Sequence, residues 1–177
     1  MRVNRYVLDA NIWVSYLITN NEQILTNAVI EHRITFYYCE ELIVEIKRVL
    51  GYTHLKKYHI NIGYAINLIK QIGVDFSLAQ PIKSYIPDDE NDNYVVALAL
   101  QTNSGFITSG DKHILSQKSL LETKYKKLKF LPSQSLRRCL NRVSTFFNIS
   151  VSISKATIFF IEFECCFLIK TVIKADL

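Results

Sequence analysis

The chain has 177 residues, 49% of them hydrophobic and 21% charged, with only five glycines and three prolines; this supports one packed domain and excludes a disordered chain. A net charge of +5 favours a polyanionic partner without identifying it. The four cysteines, Cys39, Cys139, Cys165 and Cys166, have no C-x-x-C spacing, which argues against a zinc site or a disulfide framework and for a reducing cytoplasm.

Arg5 to Leu8 reads as a buried strand that stops at the carboxylate of Asp9, and Ile12 to Ile18 as a helix that Asn11 is suited to cap. Because this aspartate arrives before any apolar stretch of signal-peptide length, no export signal is expected. Glu22 to His32 is a second helical pattern with Ile24, Leu25, Ala28 and Val29 on one face, and the β-branched and aromatic run Ile34 to Tyr38 is the next strand. Glu41 to Leu50 is a helix punctuated by Gly51; Leu42, Ile46 and Val49 keep helical spacing and leave Glu45 just off the apolar stripe.

Asn61 to Ile72 is a further helix, ending at Gly73 before a short strand, Val74-Asp75-Phe76. Asp92 to Gln101 is a helix buried on most sides, Gly105 to Thr108 a strand, Leu128 to Leu131 the last strand, and Ser133 to Leu140 a short helix. Strands separated by helices of about ten residues imply parallel pairing, hence an α/β fold: a three-layer α/β/α sandwich with a central, mainly parallel sheet. The apolar stretch from Thr157 to Lys170 is interrupted by Glu162 and Glu164, which makes it a poor transmembrane candidate and suggests an alternating strand over Ile161, Phe163 and Cys165.

Four acids stand out. Asp9 ends a strand, Asp111 closes Phe106-Ile107-Thr108-Ser109-Gly110-Asp111, Glu45 rides a helix and Asp92 begins one. In parallel α/β sheets the ligand site lies beyond the carboxyl ends of the strands, so the four are expected in one pocket. Carboxylates gathered there would repel each other without a hard cation between them. Taken singly, each has an ordinary alternative: Asp9 and Asp92 as helix caps, Asp111 as a turn residue, Glu45 as a solvated helix residue.

The runs Val7-Leu8-Asp9-Ala10-Asn11-Ile12-Trp13-Val14-Ser15, Glu41 to Leu50, Pro87-Asp88-Asp89-Glu90-Asn91-Asp92-Asn93 with Ala97 to Leu100, and Ile107 to Leu115 occur in that order. Together they resemble the PIN-domain ribonucleases, which include the toxins of prokaryotic toxin–antitoxin pairs. The resemblance spans residues 5 to 140 and marks 1–140 as a nuclease domain and 141–177 as an extension of unassigned role. It departs from the family at Ala10, where a hydroxyl is common, and at Asn91 and His113, where further acids are common.

The resemblance implies Mg²⁺ or Mn²⁺ held by Asp9, Glu45, Asp92 and Asp111, with Asp9 central and Glu45 orienting the attacking water. Asn11 and Ser109 would steady the carboxylates, with Asp89 the nearest further acid. It also implies an RNA substrate cut to 5′-phosphate and 3′-hydroxyl ends, a cognate antitoxin protein, no membrane association and a cytoplasmic setting, with a homodimer left open. The apolar and aromatic area from Trp13 and Tyr16 to Ile24 and Leu25 is the expected partner surface, its alternative being core. Lys118 to Arg138, with Glu122 its single acid, is either a phosphate-binding rim near Asp111 or a solvated face. Tyr37, Tyr38, Tyr52, Tyr58, Tyr64 and Tyr94 are either base-stacking or half-buried.

Two other classes compete. A PIN-fold RNA-binding or interaction module without strong activity is compatible with Asn91 and His113 but disfavoured by the four retained acids. A haloacid-dehalogenase-like phosphatase would need a second acid where Asn11 stands.

Overall fold

The apolar run at the start of the chain forms strand β1, Asn4–Leu8, whose last three residues are buried. The computed structural model describes residues 4–32 and 34–136. Helices α1, Ala10–Ile18, and α2, Glu22–His32, lead to strand β2, Ile34–Tyr38. Helix α3, Glu40–Leu50, is followed by a 3₁₀ segment over Thr53–Tyr58, helix α4, Ile62–Ile72, and strand β3, Gly73–Asp75. A 3₁₀ turn over Glu90–Asp92 runs into helix α5, Asn93–Gln101, and strand β4, Phe106–Thr108, follows. Two short helices, α6, Lys112–Ser116, and α7, Lys118–Lys124, return the chain to strand β5, Lys129–Leu131.

All four strand pairings are parallel, in the order β3-β2-β1-β4-β5. Val7 is the central rung, with Tyr37 on one side and Ile107 on the other. The chain therefore builds outwards from β1 in one direction, then crosses over and builds in the other. Helices complete the three-layer α/β/α sandwich. Where the order reverses, between β1 and β4, the connections leaving the two strands diverge and open a crevice at their carboxyl ends.

The core explains why the elements hold. Tyr6, Trp13 and Phe36 are almost wholly buried, and their rings meet edge to face, Trp13–Phe36 at 5.7 Å and Tyr6–Phe36 at 6.2 Å, a geometry that adds to plain apolar burial. Every residue of α5 from Asn93 to Ala99 is buried, as its lack of a polar face requires, and the helix packs against β1, β2 and β4. Gly73 is the one place where a glycine is sterically required. A Cβ there would lie 2.7 Å from the Tyr38 ring and 2.8 Å from the Ile69 carbonyl oxygen.

Helix starts differ in detail from the sequence expectation. Asp9, not Asn11, is the N-cap residue of α1, and Asn11 falls inside the helix on its exposed side. Asn61 caps α4, its side chain accepting the Tyr64 N–H at 3.0 Å. The helix expected from Ser133 is present over 133–136. Its remainder, the strand expected at Ile161 to Cys165 and the 141–177 extension lie outside the described residues. Among the described residues no helix is long and apolar enough to cross a membrane.

Candidate functional site

Asp9 is held by its own backbone before its side chain is considered. Its N–H donates to the Thr108 carbonyl at 3.0 Å, extending the β1–β4 ladder, and its carbonyl accepts the Ile12 N–H at 3.0 Å to open α1. The carboxylate is 1% exposed and makes no helix cap. Ser109 Oγ donates to Asp9 Oδ2 at 2.7 Å and in turn accepts the Asp111 N–H at 2.9 Å. One serine thus joins the ends of both central strands.

Burial pushes the Asp9 carboxyl up to about 6. The Ser109 hydrogen bond opposes this, while the negative charges of Glu45 and, more weakly, Asp111 reinforce it. Asp92, at the junction of the 3₁₀ turn and α5, is also buried and its side chain caps nothing. It is pushed up to about 7, first by burial and then by the charges of Asp9, Glu45, Asp89 and Asp111. Asp92 thus feels the charges of the other three candidate acids, and Asp9 those of Glu45 and Asp111.

Glu45 lies on α3, its side chain 15% exposed. Tyr94 Oη donates to Glu45 Oε2 at 2.5 Å, and Arg48 approaches Oε1 at 3.8 Å. Tyr94 is itself buried, and burial and the Glu45 charge hold its hydroxyl well above its ordinary range, keeping it a donor. Asn93, next in the chain, accepts from the N–H groups of Tyr85 and Ile86 at 2.6 and 2.8 Å, which pins the approach to Asp89 and Asp92. Sequence setting marks neither residue as part of the site, because their partners lie far along the chain or in an irregular loop.

Other expected members sit less centrally. Asp111 Oδ1 accepts the His113 N–H at 2.7 Å and the Ile114 N–H at 3.4 Å, capping α6. Asp89 Oδ1 is engaged by the backbone and side-chain nitrogens of Asn91 at 3.0 and 3.2 Å. Asn11 is exposed, and the side chain bonded to the Asp9 carboxylate is that of Ser109. His113 is exposed. Among the described residues no three His, Cys, Asp or Glu side chains stand as a ready-made metal-holding group. The donor set nonetheless fits a hard divalent cation in chemistry: oxygen-only ligands whose mutual repulsion such a charge would relieve.

The structure decides between the alternatives left open for three surface features. Trp13, Tyr16 and Leu25 are buried core, because α1 packs on α3, so the early helices do not present them to a partner. Lys124, Lys126 and Lys127 lie away from Asp111: α6 and α7 carry the chain back along the sheet, and the Lys129 N–H meets the Gly105 carbonyl at the start of β4. A cavity of about 260 Å³ beside Leu100, Tyr125, Lys126 and Lys127 occupies that opposite end. Arg137 and Arg138 lie outside the described residues. Of the tyrosines weighed for stacking, Tyr38 and Tyr94 are buried, whereas Tyr52, Tyr58 and Tyr64 are 39%, 43% and 52% exposed.

The sequence family described as a PIN domain matches residues 5–113. Among solved structures, the crystal structure of VapBC2 from Rickettsia felis bound to a DNA fragment from their promoter is 10% identical, with 72% of this chain and 98% of that chain covered and a TM-score of 0.46. No curated protein matches the chain.

Proposed function

This chain belongs to the PIN domain family, and from that premise we propose that it is a metal-dependent endoribonuclease, the toxin of a toxin–antitoxin pair, acting on RNA in the cytoplasm. The observation that supports the reading is the buried Asp92, raised first by burial and then by the charges of Asp9, Glu45, Asp89 and Asp111, beside a buried Asp9 held to Ser109. These four would hold Mg²⁺ or Mn²⁺, which when bound would neutralise charge on the phosphodiester and acidify the attacking water.

The chain's own residues divide the remaining work. Ser109 fixes Asp9 Oδ2, so that Asp9 meets the substrate side in one orientation. Tyr94 occupies Glu45 Oε2, leaving Oε1 to accept a proton from water as its oxygen bonds to phosphorus. The bond from phosphorus to the 3′-oxygen breaks, and that oxygen takes up a proton, giving a 3′-hydroxyl and a 5′-phosphate. An antitoxin protein would restrain the site by inserting an Arg or Lys among the carboxylates, where charge-assisted hydrogen bonds would replace those to the cation. Homodimerisation is compatible with this scheme.

A binding module of weak activity is the second reading, favoured by the engagement of Asp111 as a helix cap. Cleavage of end-labelled single-stranded RNA decides between them. The expected result is cutting with Mg²⁺ or Mn²⁺, arrest by EDTA, and loss of nearly all cutting in Asp9→Asn. Equal cleavage by the variant and the parent would show that the site is misassigned, and no cleavage by the parent leaves the binding module.

A further inference from the structure

From Ile46 to Val74 the sequence contains no Asp or Glu, yet it holds Lys47, Arg48, Lys56, Lys57 and Lys70. Within it, the segment after α3 gathers exposed aromatic and cationic groups. Tyr52 is stacked on His54, with centroids 5.8 Å apart and planes inclined by 29°, and Lys57 Nζ lies 5.1 Å from the Tyr58 ring centre. Tyr52, His54, Lys56, Lys57, Tyr58 and His59 are all exposed. The 3₁₀ helix has no buried residue, and His59 closes it in the left-handed conformation.

Solvated lysines alone would be an ordinary polar surface. Here two large rings are also partly exposed, in a stretch with no Asp or Glu of its own, Arg48 being paired with Glu45 on the preceding turn. The exposed parts of these rings offer faces to a ligand, since every base has a π-face and every nucleotide a negative phosphate. The placement is also directed. Glu45, Arg48 and Tyr52 are spaced three and four residues apart, the interval that keeps residues on one helix face. The Tyr52 N–H donates to the Val49 carbonyl at 3.0 Å, so the helical path continues to that point. Seven residues of helix rise carry it about 10 Å from Glu45, and the Arg48 guanidinium, 3.8 Å from Glu45 Oε1, stands between.

We propose that Tyr52 to Tyr58 is a single-stranded RNA platform, on which bases stack against Tyr52 and Tyr58 while Lys56, Lys57 and Arg48 track the phosphates towards the acid cluster. The proposal rests on the ribonuclease reading for its choice of RNA. It requires unpaired bases, because bases within a duplex do not offer their faces.

The test uses the full chain in EDTA, where binding is read without cutting. Fluorescence anisotropy with a labelled RNA of about 12 nucleotides, within the span of single-strand sites, gives the affinity. The pair Tyr52→Ala and Tyr58→Ala should weaken binding at least about tenfold, while Tyr52→Phe and Tyr58→Phe retain it. Lys56→Ala with Lys57→Ala should lower the slope of log affinity against log salt by about 1.4, roughly 0.7 for each phosphate contact to a single strand. Parent affinity in both Ala pairs, equal loss in the Phe pair, or absence of binding by the parent overturns the platform. If the parent binds in the expected pattern but leaves the RNA whole when Mn²⁺ is added, the platform stands and the nuclease reading fails. Metal-dependent cutting with affinities untouched by the substitutions upholds the nuclease and removes the platform.

Discussion

Tyr94 Oη donates to Glu45 Oε2 across 49 residues of chain, so the start of α5 fixes the acid that α3 supplies. Removing that hydroxyl leaves one oxygen of a mostly buried carboxylate without its donor. A hydrogen bond to a charged group contributes about 1.5–3 kcal/mol. If Glu45 must be held to accept the water proton, Tyr94→Phe should lower kcat on RNA by about tenfold or more, since ~1.4 kcal/mol is a factor of ten. RNA affinity in EDTA should stay near that of the parent. Unchanged kcat would show that the Tyr94 contact is structural only.

The metal-free protein should become less stable as pH rises from about 4 to about 7. The Asp9 carboxyl moves from 3.8 to about 6 on folding. Below the lower value both states hold the proton. Between the two values the unfolded chain has released it and the fold retains it, so the unfolded state binds fewer protons and stability falls with rising pH. Above the upper value the loss is complete, about 3 kcal/mol at ~1.4 kcal/mol per pH unit. Asp92, raised to about 7, extends the fall upwards. Urea midpoints in EDTA across this range should drop for the parent and drop less for Asp9→Asn, which should also be the more stable protein at neutral pH. Parallel curves for the two proteins would refute the assignment.

Asn93 supports the loop that precedes Asp92 through its bonds to the Tyr85 and Ile86 N–H groups. Asn93→Ala leaves two backbone donors unpaired, one of them on buried Ile86, at a cost of about 1–3 kcal/mol. A lower Tm together with faster protease cleavage between Pro87 and Glu90 is the expected outcome. A protein of parental Tm that is cut no faster would remove Asn93 from the scaffold of the site.

Much of the fold is readable because apolar spacing is local. Ile34 to Tyr38, Glu22 to His32 and the largely apolar α5 announce their elements, and strand–helix alternation then selects a parallel sheet. The end of β1 at Asp9 is equally plain, since an apolar run that stops at a carboxylate is a feature of neighbours in the chain. The identity of the cap is not: Asp9 and Asn11 are both good caps, and only the backbone pairing of Asp9 with Thr108 decides between them. Nothing near Tyr94 in sequence marks Glu45 as its partner, so it looks no different from the five other tyrosines weighed for stacking. The basic stretch after Asp111 misleads for a related reason: two short helices carry its lysines to the other end of the sheet, so that closeness in sequence does not become closeness in space.

The complete burial of α5 from Asn93 to Ala99 sorts the four candidate acids into two mechanical classes. A helix with no solvated side cannot turn or slide without opening gaps in a close-packed interior, so Asp92 is fixed to the core, as Asp9 is by the ladder of β1. Asp111 heads the five-residue α6 on a half-exposed surface, and Glu45 is a side chain reaching in from α3. Since Tyr94 ties Glu45 to the immobile α5, Asp111 is the candidate acid with the least of the core behind it, one movable member set against three held ones.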